Sequence, residues 1–527
     1  MSLVHRRLAL QIAVIAAGLA VMASGEWNVA PADAQQDASP AADRPDRVKL
    51  RGPAQGKGGK GRGTQAVASP REAARQNAGG EFRTDVPEHP FDLILARPTS
   101  RSIALSALAY QDLEGYVACG TEPAPTSPAT PPRAFKEGRP EELVIDALRP
   151  GARYYYAFCS RRSADEPFQR GPEATFHTAR PPGSPFTFTV TADSHLDEQT
   201  EPALYRQTLV NALADTPDFH IDLGDTFMSE KHASRESAAK QYLAQRYYFG
   251  LLCHSAPLYL VLGNHDGEGG RYVDGTGDSL TIWSNGMRKK YFPNPDPAAA
   301  AGPDGFYTGS DTPAPFAGSL QNYFAWEWGG AQFIVLDPFW YAPRPSRGGD
   351  NWTRTLGVKQ YEWLRRTLQA SHAKLKFVFI HHLVGGADNQ SRGGVEAAPF
   401  FEWGGKNADG SDGFQQHRPG WPAPIHQLLK EAGVSIVFHG HDHLFAKQDL
   451  DGIVYQESPQ PGLRRYNVPR TATEYGYVRC TILGGPGHLR VTVSPDRATV
   501  DFVSSRVPED ETVDHRNREV RFSYTVP

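Results

Sequence analysis

Five apolar runs in this chain each stop at residues of the types that bind metal ions. "TVTADSH" closes on Asp193 and His195, and "HIDLGD" closes on Asp225. "YLVLGNHD" closes on Asn264, His265 and Asp266, "FVFIHH" on His381 and His382, and "IVFHGHDH" on His439, His441 and His443. Each run is short and rich in Val, Ile, Leu and Phe, which is the pattern of a buried strand. In layered α/β folds, binding sites form at the C-terminal edge of the strands. One such ending would mean little. Five in one region are hard to explain as polar groups packed into a core. The residue types agree with that reading. Asp, Asn and His offer oxygen and imidazole donors without a thiolate, a set that suits Mn, Fe or Zn rather than an all-cysteine structural zinc. A lone buried carboxylate is costly, and a bound cation offsets that cost.

The segments between these strands read as helices. "EPALYRQTLVNALAD", "SAAKQYLAQRYYFGLL" and "KQYEWLRRTLQAS" carry apolar residues at helical spacing. "NYFAWEW" and "AQFIVLD" read as a hairpin across Gly329-Gly330, and "HLRVTVSPDRATVDFV" as a hairpin around "SPDR". Residues 85–182 are different. Short β-rich runs such as "LEGYVACGT", "EELVIDAL" and "RYYYAFCS", separated by turn residues, predict a small β-sandwich. With 527 residues the chain is too long for one ordinary core. The expected division is an export signal over 1–34, a disordered basic linker over 35–84, the β-sandwich over 85–182, an α/β domain over 183–505 and a tail over 506–527. The signal reading rests on "MSLVHRR", the apolar "LALQIAVIAAGLAVMAS" and the small residues Ala32–Ala34. The linker reading rests on "RGPAQGKGGKGRGTQAVASP", which has too few large apolar residues to bury a core. Net charge is −4, and no basic surface marks the α/β region, which argues against a long nucleic acid as partner.

The order D-x-H, G-D, G-N-H-D, H-H, G-H-D-H resembles the calcineurin-like metallophosphoesterase superfamily. With "CGTEP" and "LRPGARYYY" in the region before it, the chain looks most like the purple acid phosphatase-like branch, whose catalytic domain follows a fibronectin type III-like domain. The resemblance implies a four-layer α/β/β/α sandwich preceded by a small β-sandwich. It implies two divalent or trivalent metal ions (Fe, Mn or Zn). Asp193, His195 and His443 would hold the first ion, and Asn264, His381 and His441 the second. Asp225 would bridge them. His265 would act as general acid for the leaving group or stabilise its charge. His439 precedes Gly440 on the apolar strand and is expected to pack or support rather than ligate.

Two departures bear on this. Purple members place a tyrosine three residues after the bridging aspartate; Met228 stands there, and His195 is the expected substitute. "GDTFMSE" also does not match the run that carries a second acidic group after "GD" in serine/threonine phosphatase members, so no Asp there is assigned to orient His265. Within the same resemblance Cys119 and Cys159 fall on neighbouring strands and could form a disulfide.

The implied activity is hydrolysis of phosphate mono- or diesters by a metal-bridging hydroxide, on a small phosphorylated substrate. It would take place in the periplasm or outside the cell, with no membrane span left after signal cleavage. A nucleotidase or nuclease of the same superfamily is one alternative. A non-enzymatic, metal-stabilised surface-binding protein is another. Two long stretches, 267–320 and 383–423, follow ligand motifs, and long loops in compact domains tend to be functional. They carry Arg271 and Arg392, candidates for a phosphate oxyanion or plain surface arginines. They also carry Trp283, Phe400 and Trp403, candidates for ring stacking or for packing within the loops.

Overall fold

The computed structural model describes residues 81–298, 305–343, 350–468 and 470–527. The expected export signal and nearly all of the expected linker lie outside the described residues. Among those described, no helix is long and apolar enough to cross a membrane.

The first seven strands are Phe91–Ala96 (β1), Ile103–Ala109 (β2), Leu113–Gly120 (β3), Arg133–Phe135 (β4), Glu141–Ile145 (β5), Arg153–Arg161 (β6) and Gln169–His177 (β7). They make two antiparallel sheets, of order β1-β2-β5 and β4-β3-β6-β7. Leu95, Leu105, Val117, Phe135, Tyr156 and Phe158 fill the space between them. The expected Cys119–Cys159 disulfide is absent, and both cysteines are free. They do lie on the neighbouring strands β3 and β6. The register, however, sets Cys119 opposite Tyr156 and Cys159 opposite Tyr116. An offset of three residues sends the two thiols to opposite faces of the sheet.

The remaining strands build two larger sheets. Phe186–Thr191 (β8), Phe219–Asp222 (β9) and Leu258–Leu260 (β10) run parallel. Next come Thr308–Gly309 (β11), Phe324–Trp328 (β12), Ala331–Val335 (β13), Lys376–Phe379 (β14), Ile436–His439 (β15), Phe445–Leu450 (β16), Ile453–Glu457 (β17) and Thr481–Leu483 (β18). Gly487–Ser494 (β19), Arg497–Ser504 (β20) and Val520–Val526 (β21) complete the set. One sheet has six strands in the order β10-β9-β8-β19-β20-β21, and the other has eight in the order β11-β12-β13-β14-β15-β17-β16-β18. The expected C-terminal tail is therefore part of the fold, because β21 pairs with β20 and forms an edge of the six-stranded sheet.

Side-chain alternation explains the layering. Along β8, Phe188 and Val190 point into the space between the sheets, where they meet Phe333, Phe377, Phe379 and Phe438. Along β14, Phe377 and Phe379 point inward, while Val378 points out to a second core. That second core is closed by helices Gly357–Ala370 and Ile425–Glu431, through Tyr361, Leu364 and Leu429. On the other side, helices Pro202–Leu213, Arg235–Cys253 and Leu280–Tyr291 cover the six-stranded sheet through Leu209, Tyr242 and Tyr291. Each buried Phe or Leu of these interfaces contributes about 1.5–3 kcal/mol of apolar burial. The result is the four-layer α/β/β/α arrangement.

The β1–β7 region is joined to this body by a buried arginine. Arg246, on the helix Arg235–Cys253, is fully buried. It donates to the carbonyls of Asp92 (3.1 Å), Ser106 (3.0 Å) and Tyr291 (2.6 Å), and to Ser106 Oγ (2.9 Å).

Candidate metal centre

The donor-rich strand ends meet at one edge of the two sheets. Asp193 and His195 follow β8, Asp225 follows β9 and Asn264 follows β10, all from the six-stranded sheet. His381 follows β14, and His441 and His443 follow β15, from the eight-stranded sheet. Asp193, His195 and His443 form one group whose donor atoms all lie within 4.8 Å of one another, and Asp225, His381 and His441 form a second. Asn264 joins the second group, with its Oδ1 3.0 Å from His381 Nε2. His381 Nε2 lies 3.4 Å from Asp225 Oδ2 and 4.0 Å from Asp193 Oδ1, so the two groups adjoin.

The backbone here is strained in a way that strands are not. Asp193, His195, Asp225, His441 and His443 all have positive φ, between 48° and 83°. Non-glycine residues rarely adopt this region, and clusters of them are typical of functional sites. The glycines beside them serve a different need. Gly440 is not left-handed; a Cβ there would sit 2.8 Å from Asp193 Oδ2 and from Ala192 Cβ. A Cβ on Gly263 would come within 1.9 Å of the Asp225 amide nitrogen. Both glycines let one donor-bearing turn lie directly on the next.

Several neighbours hold the donors in place. The Asp266 carboxylate accepts the amides of Gly263 (2.8 Å), Thr226 (2.8 Å) and Phe227 (2.8 Å), so it braces the Asp225 turn rather than facing the cluster. His381 Nδ1 donates to the Leu223 carbonyl at 2.9 Å, which leaves Nε2 for the cluster. The His441 amide donates to Asp193 Oδ2 at 2.9 Å. His439 stays in β15, buried, with Nδ1 2.5 Å from Glu457 Oε2. It does not join either donor group, as its place within the strand predicts.

The arrangement fits a pair of cations. Asp193 Oδ1 and His195 Nε2 are buried without a hydrogen-bond partner, and at 3.7 Å they are too far apart to bond each other. Burial opposes ionisation of Asp193, yet His443 and His195 beside it hold its carboxyl well below the usual range. Burial opposes ionisation of Asp225 as well, and His381 and His265 hold it well below the usual range. Burial pulls His441 down to about 3, so its ring is neutral at physiological pH. Two anionic carboxylates are what a hard or borderline cation needs.

The cluster lies at the bottom of a cleft of about 870 Å³. His265 lines it, with its Nδ1–H donating to Glu230. The other Glu230 oxygen accepts from Arg271 Nη2 at 2.5 Å, and the same nitrogen donates to the Asn264 carbonyl at 2.7 Å. Glu230 therefore orients His265, a role that the sequence reading left unfilled. It sits five residues past Asp225, a spacing that matches no pattern used above. Arg271, Arg392 and Met228 also line the cleft. The loop aromatics do not. Trp403 is buried and donates to the Tyr455 hydroxyl at 3.0 Å, Trp283 packs edge-on against Tyr242, and Phe400 rests on Phe401.

The fold is that of the metallophosphoesterases. Residues 186–445 match the family model for calcineurin-like phosphoesterases, and this stretch of the chain is a calcineurin-like phosphoesterase domain. Among solved structures, PhoD aligns over 84% of this chain and 91% of its own, at 15% identity and a TM-score of 0.58. The purple acid phosphatase PPD1 from yellow lupin (Lupinus luteus) seeds aligns over 82% of this chain and 73% of its own, at 14% identity and a TM-score of 0.53. At such identities the likeness is one of fold. No curated protein matches the chain by sequence.

Proposed function

We propose that this protein is an exported, binuclear metal-dependent phosphoesterase that hydrolyses phosphate mono- or diesters of small substrates. The observation that carries the reading is the meeting of two donor groups, one element of each from either sheet, at the floor of an open cleft. In this reading Asp193, His195 and His443 hold one ion and Asn264, His381 and His441 the other, with Asp225 shared. Two such ions supply Lewis-acid stabilisation of the phosphoryl oxygens and an activated water near neutral pH. The protein's own part is positioning and proton transfer. His265 stands in the cleft with Nδ1–H tied to Glu230, so Nε2 is the nitrogen that faces the leaving oxygen. Arg271, held by Glu230 and the Asn264 carbonyl, places a cation on the same wall, where it supports an anionic substrate. The export part rests on the basic and apolar N-terminal run with its small-residue cleavage site.

The test is hydrolysis by purified protein reconstituted with Mn, Zn, Fe, Co or Ni. The panel compares p-nitrophenyl phosphate, bis-p-nitrophenyl phosphate and nucleotides. Turnover of the monoester or the diester supports the reading and separates the two substrate types. No turnover with any metal sinks the enzyme. Fractionation of the producing cell, with N-terminal sequencing of the mature chain, tests export independently.

A further inference from the structure

His441 is tied to a loop on the opposite wall of the cleft. Its Nε2 lies 2.8 Å from the Gln390 carbonyl oxygen. A carbonyl only accepts, so Nε2 carries the proton and Nδ1 keeps the lone pair. That assignment decides which ring nitrogen is open to Asp225 and His381. It holds only while the Gln390 carbonyl stays where it is.

Residues 385–393 form a tight strap, and it is anchored from both sides. Arg354, nearly buried, donates through Nη1 to the Gly385 carbonyl (2.5 Å) and the Asp388 carbonyl (3.1 Å), and through Nη2 to the Asn389 carbonyl (2.5 Å). Asn351 Nδ2 donates to the same Gly385 and Asp388 carbonyls, at 3.0 and 2.8 Å. Within the strap, Asp388 Oδ1 accepts the amides of Gln390 (2.8 Å) and Arg392 (3.1 Å). At its far end, the Gly393 amide donates to Asp442 Oδ2 at 2.9 Å, and Asp442 stands between His441 and His443 in the chain. The strap is thus fixed to one side by Arg354 and Asn351, and to the other by the ligand turn itself.

We propose that Arg354 is a positioning residue for the second metal: through the strap it presents the Gln390 carbonyl to His441 and so fixes the tautomer in which Nδ1 faces the centre. This rests on the reading of His441 as a metal ligand. A histidine ligand whose remote N–H loses its partner loses orientation and basicity, and such losses weaken metal binding about 10–100-fold. Among the described residues, no hydrogen bond joins the side chains of Asp193, His195 or His443 to the strap, so the first ion should be spared.

The experiment is a chelator-competition titration of the full chain with Zn(II), run on wild type, Arg354→Met, Arg354→Lys and Asn351→Ala. Thermal melts run alongside. Wild type should bind two ions. Arg354→Met should weaken one of them about 10–100-fold and leave the other unchanged. Arg354→Lys should recover part of the loss, because an ammonium can still bond some of the carbonyls. Asn351→Ala should shift the same ion in the same direction by less, and it decides the matter if Arg354→Met does not fold. Equal weakening of both ions, or unchanged affinities with only a lower melting temperature, overturns the proposal. A wild type that does not bind two ions overturns the metal reading itself, and this inference with it.

Discussion

Asp225 has the most exacting place of any residue in the site. It is buried, has φ of 54°, accepts the His265 amide at 2.7 Å and lies 3.4 Å from His381 Nε2. Asp225→Asn keeps the shape and removes the charge. Activity and metal content should fall together, as measured by turnover and by elemental analysis of the purified protein. Unchanged turnover would refute the shared-ligand role. His265 should separate these two readouts. His265→Ala should retain both ions and slow turnover by about 10²–10⁴-fold for a poor leaving group, as expected for loss of general acid help. The loss should shrink for nitrophenolate, which departs without a proton. Glu230→Gln should repeat this leaving-group pattern more weakly, since Gln still accepts the Nδ1–H but no longer balances its charge. A Glu230→Gln enzyme slowed equally for all leaving groups would mean that Glu230 supports structure only.

At the level of the element, the turn after β13 carries a buried acid that the chemistry does not use. Asp337 accepts the Asn322 amide (2.5 Å) and the Phe339 backbone amide (2.7 Å), and it shapes the turn that sets Phe339 against His382. Burial raises its carboxyl from 3.8 to about 6, its hydrogen-bond donors oppose that, and the charge of Glu268 adds to it. A carboxyl raised in the folded state contributes stability that is complete below the unfolded value and is lost as pH rises through the folded one. Asp337→Asn does not titrate. Relative to that variant, wild-type stability should decline by up to about 3 kcal/mol between about pH 4 and about pH 7. Denaturant melts of both proteins across that range would show it. A constant difference would mean that Asp337 titrates alike in both states.

The elements also show what could be read in advance. The parallel strands, the flanking helices and both hairpins follow from apolar periodicity, because each side chain's direction is set by its own strand or helix. The donors at the strand ends were legible for the same reason: a strand that ends at a sheet edge delivers its next residues there. What stayed hidden depends on contacts between distant segments. Glu230 meets His265 across 35 positions, and Gln390 meets His441 across 51. The cysteines were misjudged because strand adjacency was visible and register was not. The last strand is a different case. "VRFSYTV" has the composition of a strand, and its distance from the motifs concealed that it completes a sheet.

Over the whole molecule, Arg246 makes the small sandwich and the large body one mechanical unit. Its four hydrogen bonds go to β1, to β2 and to the end of the helix Leu280–Tyr291. Tyr156 adds a bond from β6 to the His254 carbonyl at 2.6 Å, and Tyr307 adds one to the Pro98 carbonyl at 2.6 Å. Arg246→Met fills similar space but strands these acceptors, at about 1–3 kcal/mol for each one left unsatisfied. Calorimetry of wild type should show the two parts unfolding in a single transition. The variant should melt lower, with the sandwich separating first. An unchanged melting temperature would place the strength of the junction elsewhere.

Each donor group draws its members from both sheets, and what separates those sheets is a layer of phenylalanine. The centre is therefore a gauge of an internal distance. Phe188 on one sheet meets Phe438 on the other, ring centroids 6.2 Å apart, and Phe438 stacks on Phe379 at 5.1 Å. Dense interiors transmit small changes of volume rather than absorbing them. Phe188→Leu, which touches no donor, should register as a change in metal affinity measured by competition with a chelator. Affinity that ignored the substitution would show that the donor turns adjust independently of the layer beneath them. If the gauge holds, metal affinity reads out packing across the whole sandwich, and selection on the one acts on the other.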